Sequence, residues 1–149
     1  MALQRPQDTI PQLLKFCDSL SNVHNWKYHT EYIDQMISAI ILFPPWAENV
    51  TKHYHSPLIV DATFTAEDLR FTHAVVIDGE RHTQIVGLVI RGTEDSKAYS
   101  YLFKFVHDII GDAHITIMAD MARESCKKHF PQFIVLYIVI IISKNLIYL

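Results

Sequence analysis

Between Pro57 and Gly92 the chain reads as three apolar, β-branched runs joined by very short polar links: "PLIVDATFT", "FTHAVVID" and "TQIVGLVIRG". Parallel neighbours need a connection of about a dozen residues or more. Links as short as "EDLR" (Glu67 to Arg70) and "DGER" (Asp78 to Arg81) therefore dictate an antiparallel meander. Asp78-Gly79 is itself a hairpin signal. Gly87 inside the third run marks a bulge or a close approach. The period then changes. "TEDSKAYSYLFKFVHDII" places Tyr99, Leu102, Phe103, Val106 and Ile110 on one helical face, with Thr93 or Ser96 as cap and Gly111 as stop. "HITIMAD", "MARESCKKHF" and "FIVLYIVII" follow as strand, short helix and strand. Strands joined through helices lie parallel. The expected fold is α/β with a mixed sheet: three antiparallel strands, then helix-strand-helix-strand.

The residues ahead of this pattern are less decisive. "DTIPQLLKFCDSL" reads as a short helix capped by Asp8 or Thr9, with Pro11 in its first turn, and "SNVHNW" breaks it. "TEYIDQMISAIILF" fits one helix, or a helix running into a strand at Ser38 to Phe43. Pro44 and Pro45 end that element, and "WAENVTKHYH" gives one more short helix. The expected division is a mainly helical segment over 1–38 and the α/β domain over 39–149.

A chain of 149 residues, half of them hydrophobic, can build one domain with a real core. Its 13 basic and 16 acidic residues leave a net charge of −3, unlike a dedicated nucleic-acid-binding module. An enzyme gripping DNA through another domain stays open. Two cysteines, Cys17 and Cys126, make no disulfide framework, and a reduced compartment is the default. "MALQRPQDTIPQ" has no apolar core of a secretory signal, so "NVT" at Asn49 to Thr51 reads as a chance glycosylation pattern. The tail "FIVLYIVIII" (Phe133 to Ile142) is half of the ~20 residues a membrane span needs, and reads better as a buried strand.

Two carboxylates stand out. Asp61 interrupts the first strand, and burying an unpaired carboxylate is very costly, so it must be paired, ligated or near solvent. Asp120 closes the fourth strand, at the sheet edge outside which α/β sites gather. If the fourth strand lies beside the first, Asp61 and Asp120 can converge on one or two Mg²⁺ ions, which take oxygen ligands. The plainer reading stands beside this: Asp120 caps the helix that starts at Met121, and Asp61 pairs with a Lys or Arg.

Other features carry less. Glu94 and Asp95 suit the N-terminus of the long helix, or an accessory place near the metals. Cys126 and His129 are one helical turn apart, but zinc in a structural site wants four ligands and no second pair is evident. His53 and His55 read as the surface end of a helix. Thr63 either orients Asp61 or fills its strand. Four glycines in no phosphate-loop spacing exclude a P-loop, and no Ser or Cys nucleophile stands beside a convincing base.

From Ile59 to Gln132 the order of motifs resembles the transposase domain of Mutator-like elements. The shared features are "DATF", a strand pair around "VIDG", the "VG" strand, and an acidic residue before an aromatic-rich helix. The strand end "ITIMAD", "FP" after the next helix and the final "ISKN" complete the pattern. The resemblance covers about residues 40–149. It implies a ribonuclease H-like fold and membership of the DDE/D transposases, which cleave and join DNA strands with three acidic residues and two divalent metals. On that resemblance Asp61 matches the first catalytic aspartate and Asp120 the second, both metal ligands, with Mg²⁺ or Mn²⁺ as cofactor and DNA as partner. A homo-oligomer and a nuclear location are implied as well, with no small-molecule cofactor and no membrane.

Two departures go with it. The third acid of the family lies on a helix after the fifth strand, and this chain ends at Leu149, so no residue matches it. The family's Cys-x-x-His pair before "I-x-KN" falls here on Ile138 and Ile141. The expectation is therefore a C-terminally truncated catalytic-domain fragment with catalysis lost or greatly weakened. The alternatives are a non-catalytic relic or co-opted interaction module, and behind them a small membrane-tethered protein.

Overall fold

The computed structural model describes residues 6–64, 69–91 and 96–119. The elements are α1 (Pro6–His24), β1 (Lys27–Ile33), β2 (Met36–Phe43), α2 (Ala47–Tyr54) and β3 (Leu58–Phe64), followed by β4 (Arg70–Ile77), β5 (Thr83–Arg91), α3 (Ser96–Ile110) and β6 (Ile117–Met118). The strands form one mixed sheet in the order β1-β2-β5-β4-β3-β6. Every neighbouring pair is antiparallel except β3 and β6, which are parallel. This is an α/β fold with a six-stranded mixed sheet.

The meander β3-β4-β5 forms where its short links require it. Asp61 pairs with His73 across β3 and β4, and Ala74 pairs with Gly87 across β4 and β5. Val75 pairs with Ile85, so Val86 is an extra residue in β5, a β-bulge beside Gly87. The close approach is also real. A Cβ on Gly87 would lie 2.7 Å from Leu102 Cδ2 and 3.1 Å from Phe43 Cε1. Helix α3 thus rests directly on the β5 backbone. It buries Tyr99, Leu102, Phe103 and Val106, with Ile110 packed at the margin, and stops at Gly111, whose φ of +59° few other residues adopt easily.

The turn between β4 and β5 differs from a two-residue Asp-Gly hairpin. The positive φ falls on Arg81, and Asp78 organises the loop with its side chain. Its carboxylate accepts the N–H groups of Glu80 (2.9 Å) and His82 (2.8 Å) and the amide of Gln84 (2.9 Å). Those bonds to the ionised form, Gln84's first, hold the Asp78 carboxyl below the usual carboxylate range.

The N-terminal part corrects the sequence reading. Helix α1 starts at Pro6 and continues through His24, so Pro11 lies in its sixth position rather than its first turn, and "SNVH" is helical. The strand expected at Ser38 to Phe43 is present within β2, but the residues before it from Thr30 form no helix. Together they make a β-hairpin, β1 and β2, turning at Asp34 and Gln35 with φ of 50° and 65°. Positive φ at both central residues is the primed turn that suits hairpins, usually marked by Asn-Gly or Asp-Gly. Asp-Gln carries no such mark. Met36–Phe43 is apolar without alternation because both faces of β2 are covered. Strand β2 also crosses the expected division at 38/39 and pairs with β5.

The sheet has two differently covered faces. On the first, Ala39, Ile41, Leu58, Val60, Ala74, Val76, Val86 and Val89 pack against α2 and α3. On the second, Ile40, Leu42 and Ile90 pack against Cys17 and its neighbours Leu13, Leu14 and Leu20 on α1. That second core lies over β1, β2 and β5, and reaches β4 only at Phe71. Burial and the adjoining Asp18 carboxylate push the Cys17 thiol upward. Among the described residues no helix is long and apolar enough to cross a membrane. The apolar tail, the expected fifth strand and the helix before it lie outside the described residues.

Candidate functional site

Alternation along β3 places Asp61. Leu58 and Val60 point into the core beneath α3, so Ile59, Asp61 and Thr63 share the second face. Helix α1 does not extend over this part of the sheet, and Asp61 and Thr63 are exposed. A carboxylate in mid-strand is tolerated because its side chain meets water. Asp61 Oδ1 accepts the N–H of Ala62 at 2.8 Å, and Oδ2 has no partner among the described residues. The expectation that Asp61 pairs with a Lys or Arg is therefore not met among those residues.

Directly across the ladder stands His73, half-buried on β4. Residues opposite each other in an antiparallel pair have Cα atoms about 4.5–5.5 Å apart and share a face. An imidazole and a carboxylate thus lie side by side where solvent or a ligand can reach both. The sequence reading missed His73. It becomes visible only through the register of β3 on β4, which sets 73 opposite 61.

Strand β6, the fourth strand expected from the sequence, lies beside β3. Strand β6 pairs with β3 in parallel, Leu58 with Ile117 and Ile59 with Met118. Its start is fastened: Leu58 N–H donates to Thr116 O at 2.8 Å, and Thr116 N–H donates to Ser56 Oγ at 3.0 Å. Asp61 is two residues beyond the last pair on β3, and 120 is two residues beyond Met118 in the sequence. Asp120 itself lies outside the described residues, as do Glu94, Asp95, Cys126 and His129.

No family model, curated protein or solved structure matches this chain. The arrangement must therefore be read from its own chemistry. Among the described residues no group of three His, Cys, Asp or Glu side chains is placed to hold a metal ion. What the described part offers is one carboxylate with a spare oxygen and one imidazole, on an open face. A hard carboxylate oxygen suits Mg²⁺ and Mn²⁺, and imidazole adds preference for Mn²⁺ or a later transition metal. Arg70 and Arg91 also meet across the β4–β5 register, but on the α3 side of the sheet, so they do not join Asp61.

His53, exposed near the end of α2, has Nδ1 2.8 Å from the Asn49 carbonyl oxygen. Asn49 and Thr51 of the "NVT" pattern lie within α2, and Thr51 is fully buried.

Proposed function

We propose that this chain is part of a transposase catalytic domain of the Mutator-like kind, with a ribonuclease H-like fold. In it Asp61 and Asp120 hold a divalent ion for cleavage and strand transfer at DNA phosphodiesters. The observation that carries the reading is the parallel β3–β6 pairing, with β4 antiparallel on the other side of β3. That neighbour relation is what two strand-borne aspartates need in order to face one site. The solvent-facing Oδ2 of Asp61 supports it further. When bound, the ion would polarise a phosphate oxygen and lower the pKa of attacking water. Asp61 would supply a fixed negative ligand on a rigid strand, and His73 would orient it or join it.

The test is Mn²⁺ titration of the purified chain, followed by urea denaturation with and without the ion. At a hundred times its dissociation constant, an ion bound only by the folded state adds about 2.7 kcal/mol of stability. Asp61→Asn and Asp120→Asn should each abolish that gain while leaving the metal-free chain folded. Failure of Mn²⁺ to bind, or binding untouched by Asp61→Asn, would sink the proposal. Binding without nicking of supercoiled DNA would leave the metal site standing and turn the reading to a non-catalytic module.

A further inference from the structure

We infer that strand β1 is a self-pairing edge, and that two copies of the chain join through it into one continuous sheet. Strand β1 is the terminal strand, with β2 on one side and no neighbour on the other among the described residues. Protected edges usually carry prolines, an inward charge, or a bulge that breaks the outer row of N–H and C=O groups. β1 carries no bulge of its own, and its one carboxylate, Glu31, lies across from Ala39 with its side chain 39% exposed. It has no proline, and its one lysine is Lys27, the first residue. The bulge of the hairpin sits in β2, where Ser38 is the extra residue between the Glu31–Ala39 and Tyr32–Ile37 pairs. Ser38 Oγ donates to the Glu31 carbonyl at 3.2 Å from the inner side. The outward side of β1 therefore stays regular.

The sequence of this edge complements itself. Place a two-fold axis through Thr30, so that Lys27–Ile33 pairs antiparallel along its whole length with a second copy. Thr30 then meets Thr30, His29 meets Glu31, Tyr28 meets Tyr32, and the Lys27 stem lies along Ile33. Thr–Thr and aromatic–aromatic pairs are cross-strand combinations that stabilise antiparallel ladders, an imidazole N–H can donate to the carboxylate opposite, and the axis makes the last two pairs twice. His29 Nε2 and Glu31 Oε1 already lie 3.4 Å apart within one strand, so both side chains occupy the same face, as the pairing requires. The edge also carries apolar side chains that a lone molecule leaves in water. Tyr32 is 58%, Ile33 51% and Met36 71% exposed around the hairpin tip.

The experiment is sedimentation equilibrium of the whole chain over a concentration series. A dimer is expected, with Glu31→Lys weakening it at least about tenfold, because the carboxylate facing His29 is then lost twice and a lysine stands in its place. The swap His29→Glu with Glu31→Lys should restore it. A Thr30→Cys variant, made with Cys126→Ser, should oxidise to a covalent dimer, since a symmetric pair at the axis brings the two sulfurs within disulfide reach. Cys17 is fully buried and does not compete. A wild-type chain that stays monomeric throughout overturns the inference. So does a dimer that ignores Glu31→Lys and leaves Thr30→Cys uncrosslinked.

Discussion

Gly87→Ala probes the contact that sets α3 on the sheet. The new Cβ would stand 2.7 Å from Leu102 Cδ2 and 3.1 Å from Phe43 Cε1. Carbon atoms rest about 3.5–4.0 Å apart, so one neighbour must move by most of an ångström. Leu102 is almost fully buried between the sheet and α3, and Phe43 is stacked on Phe105 with ring centroids 4.1 Å apart. Leu102 is closed in, and Phe43, half-buried, is held by its stacking on Phe105. Overpacking of this kind costs about 1–3 kcal/mol. Removing a glycine from the unfolded chain returns about 0.4–1 kcal/mol. The net is a loss of roughly 1–2 kcal/mol, which for a urea m-value of about 2 kcal/mol/M lowers the midpoint by roughly 0.5–1 M. Leu102→Ala removes the obstructing methyl and by itself costs about 2–5 kcal/mol. In that background Gly87→Ala should be nearly neutral, because its methyl enters the vacated space. A coupling of about 1 kcal/mol or more is the signature of direct contact. Equal costs in the two backgrounds, or no cost in the parent, would refute the packing argument.

Two further outcomes follow from the described structure. Thr72 is fully buried, and its hydroxyl has no hydrogen-bond partner among the described residues. Thr72→Val should therefore stabilise by about 1 kcal/mol in urea denaturation, since an unsatisfied buried hydroxyl carries a desolvation penalty of about 1–3 kcal/mol. A loss of stability would show that the hydroxyl is satisfied. For Asp78 the sign follows from its lowered pKa in the folded chain. Its contribution is complete above the unfolded carboxylate value of about 3.9 and is lost as pH falls through the folded value. The gap in urea midpoint between the parent and Asp78→Asn should shrink on acidification below pH about 4. A gap independent of pH would refute the role of the ionised carboxylate.

The meander and the long helix were legible because local rules and tertiary structure agree there; the fourth strand was legible as a strand, but its place beside β3 came only with the structure. Short links forced antiparallel pairing, 3.6-residue spacing marked the α3 face, and Gly87 marked both bulge and contact. The β1–β2 hairpin was not legible, for two physical reasons. Its turn places Asp34 and Gln35 at positive φ without a glycine or asparagine to show it. Its inner strand is covered on both faces, which erases the period-two signal and leaves an apolar run that a helix fits equally well. Helix α1 was underestimated because Pro11 was placed at its start. The site was half legible. Asp61 announced itself as a charge in a strand, whereas His73 became visible only through the register of β3 on β4.

The uneven cover of the sheet explains how Asp61 can exist, and narrows what it does. Had α1 extended over β3, a carboxylate at 61 would require a buried partner, and the described residues offer no cation on that face beside it. Among the described residues α1 packs over β1, β2 and β5 and not over β3, Asp61 and Thr63 are exposed, and the carboxylate is electrostatically tolerable. Tolerance is not a reason for its presence. Aspartate is among the poorest strand formers, and threonine or valine at an exposed strand position would favour the ladder more. The chain keeps a weak strand former in the one strand that joins the antiparallel meander to the parallel β6. The apolar residues Leu58 and Val60 hold that strand rigid from the other face. A rigid backbone with one outward carboxylate, an imidazole opposite and a parallel neighbour running the same way positions ligands well and packs no better for having them. That asymmetry is the ground on which a binding role for Asp61 is proposed.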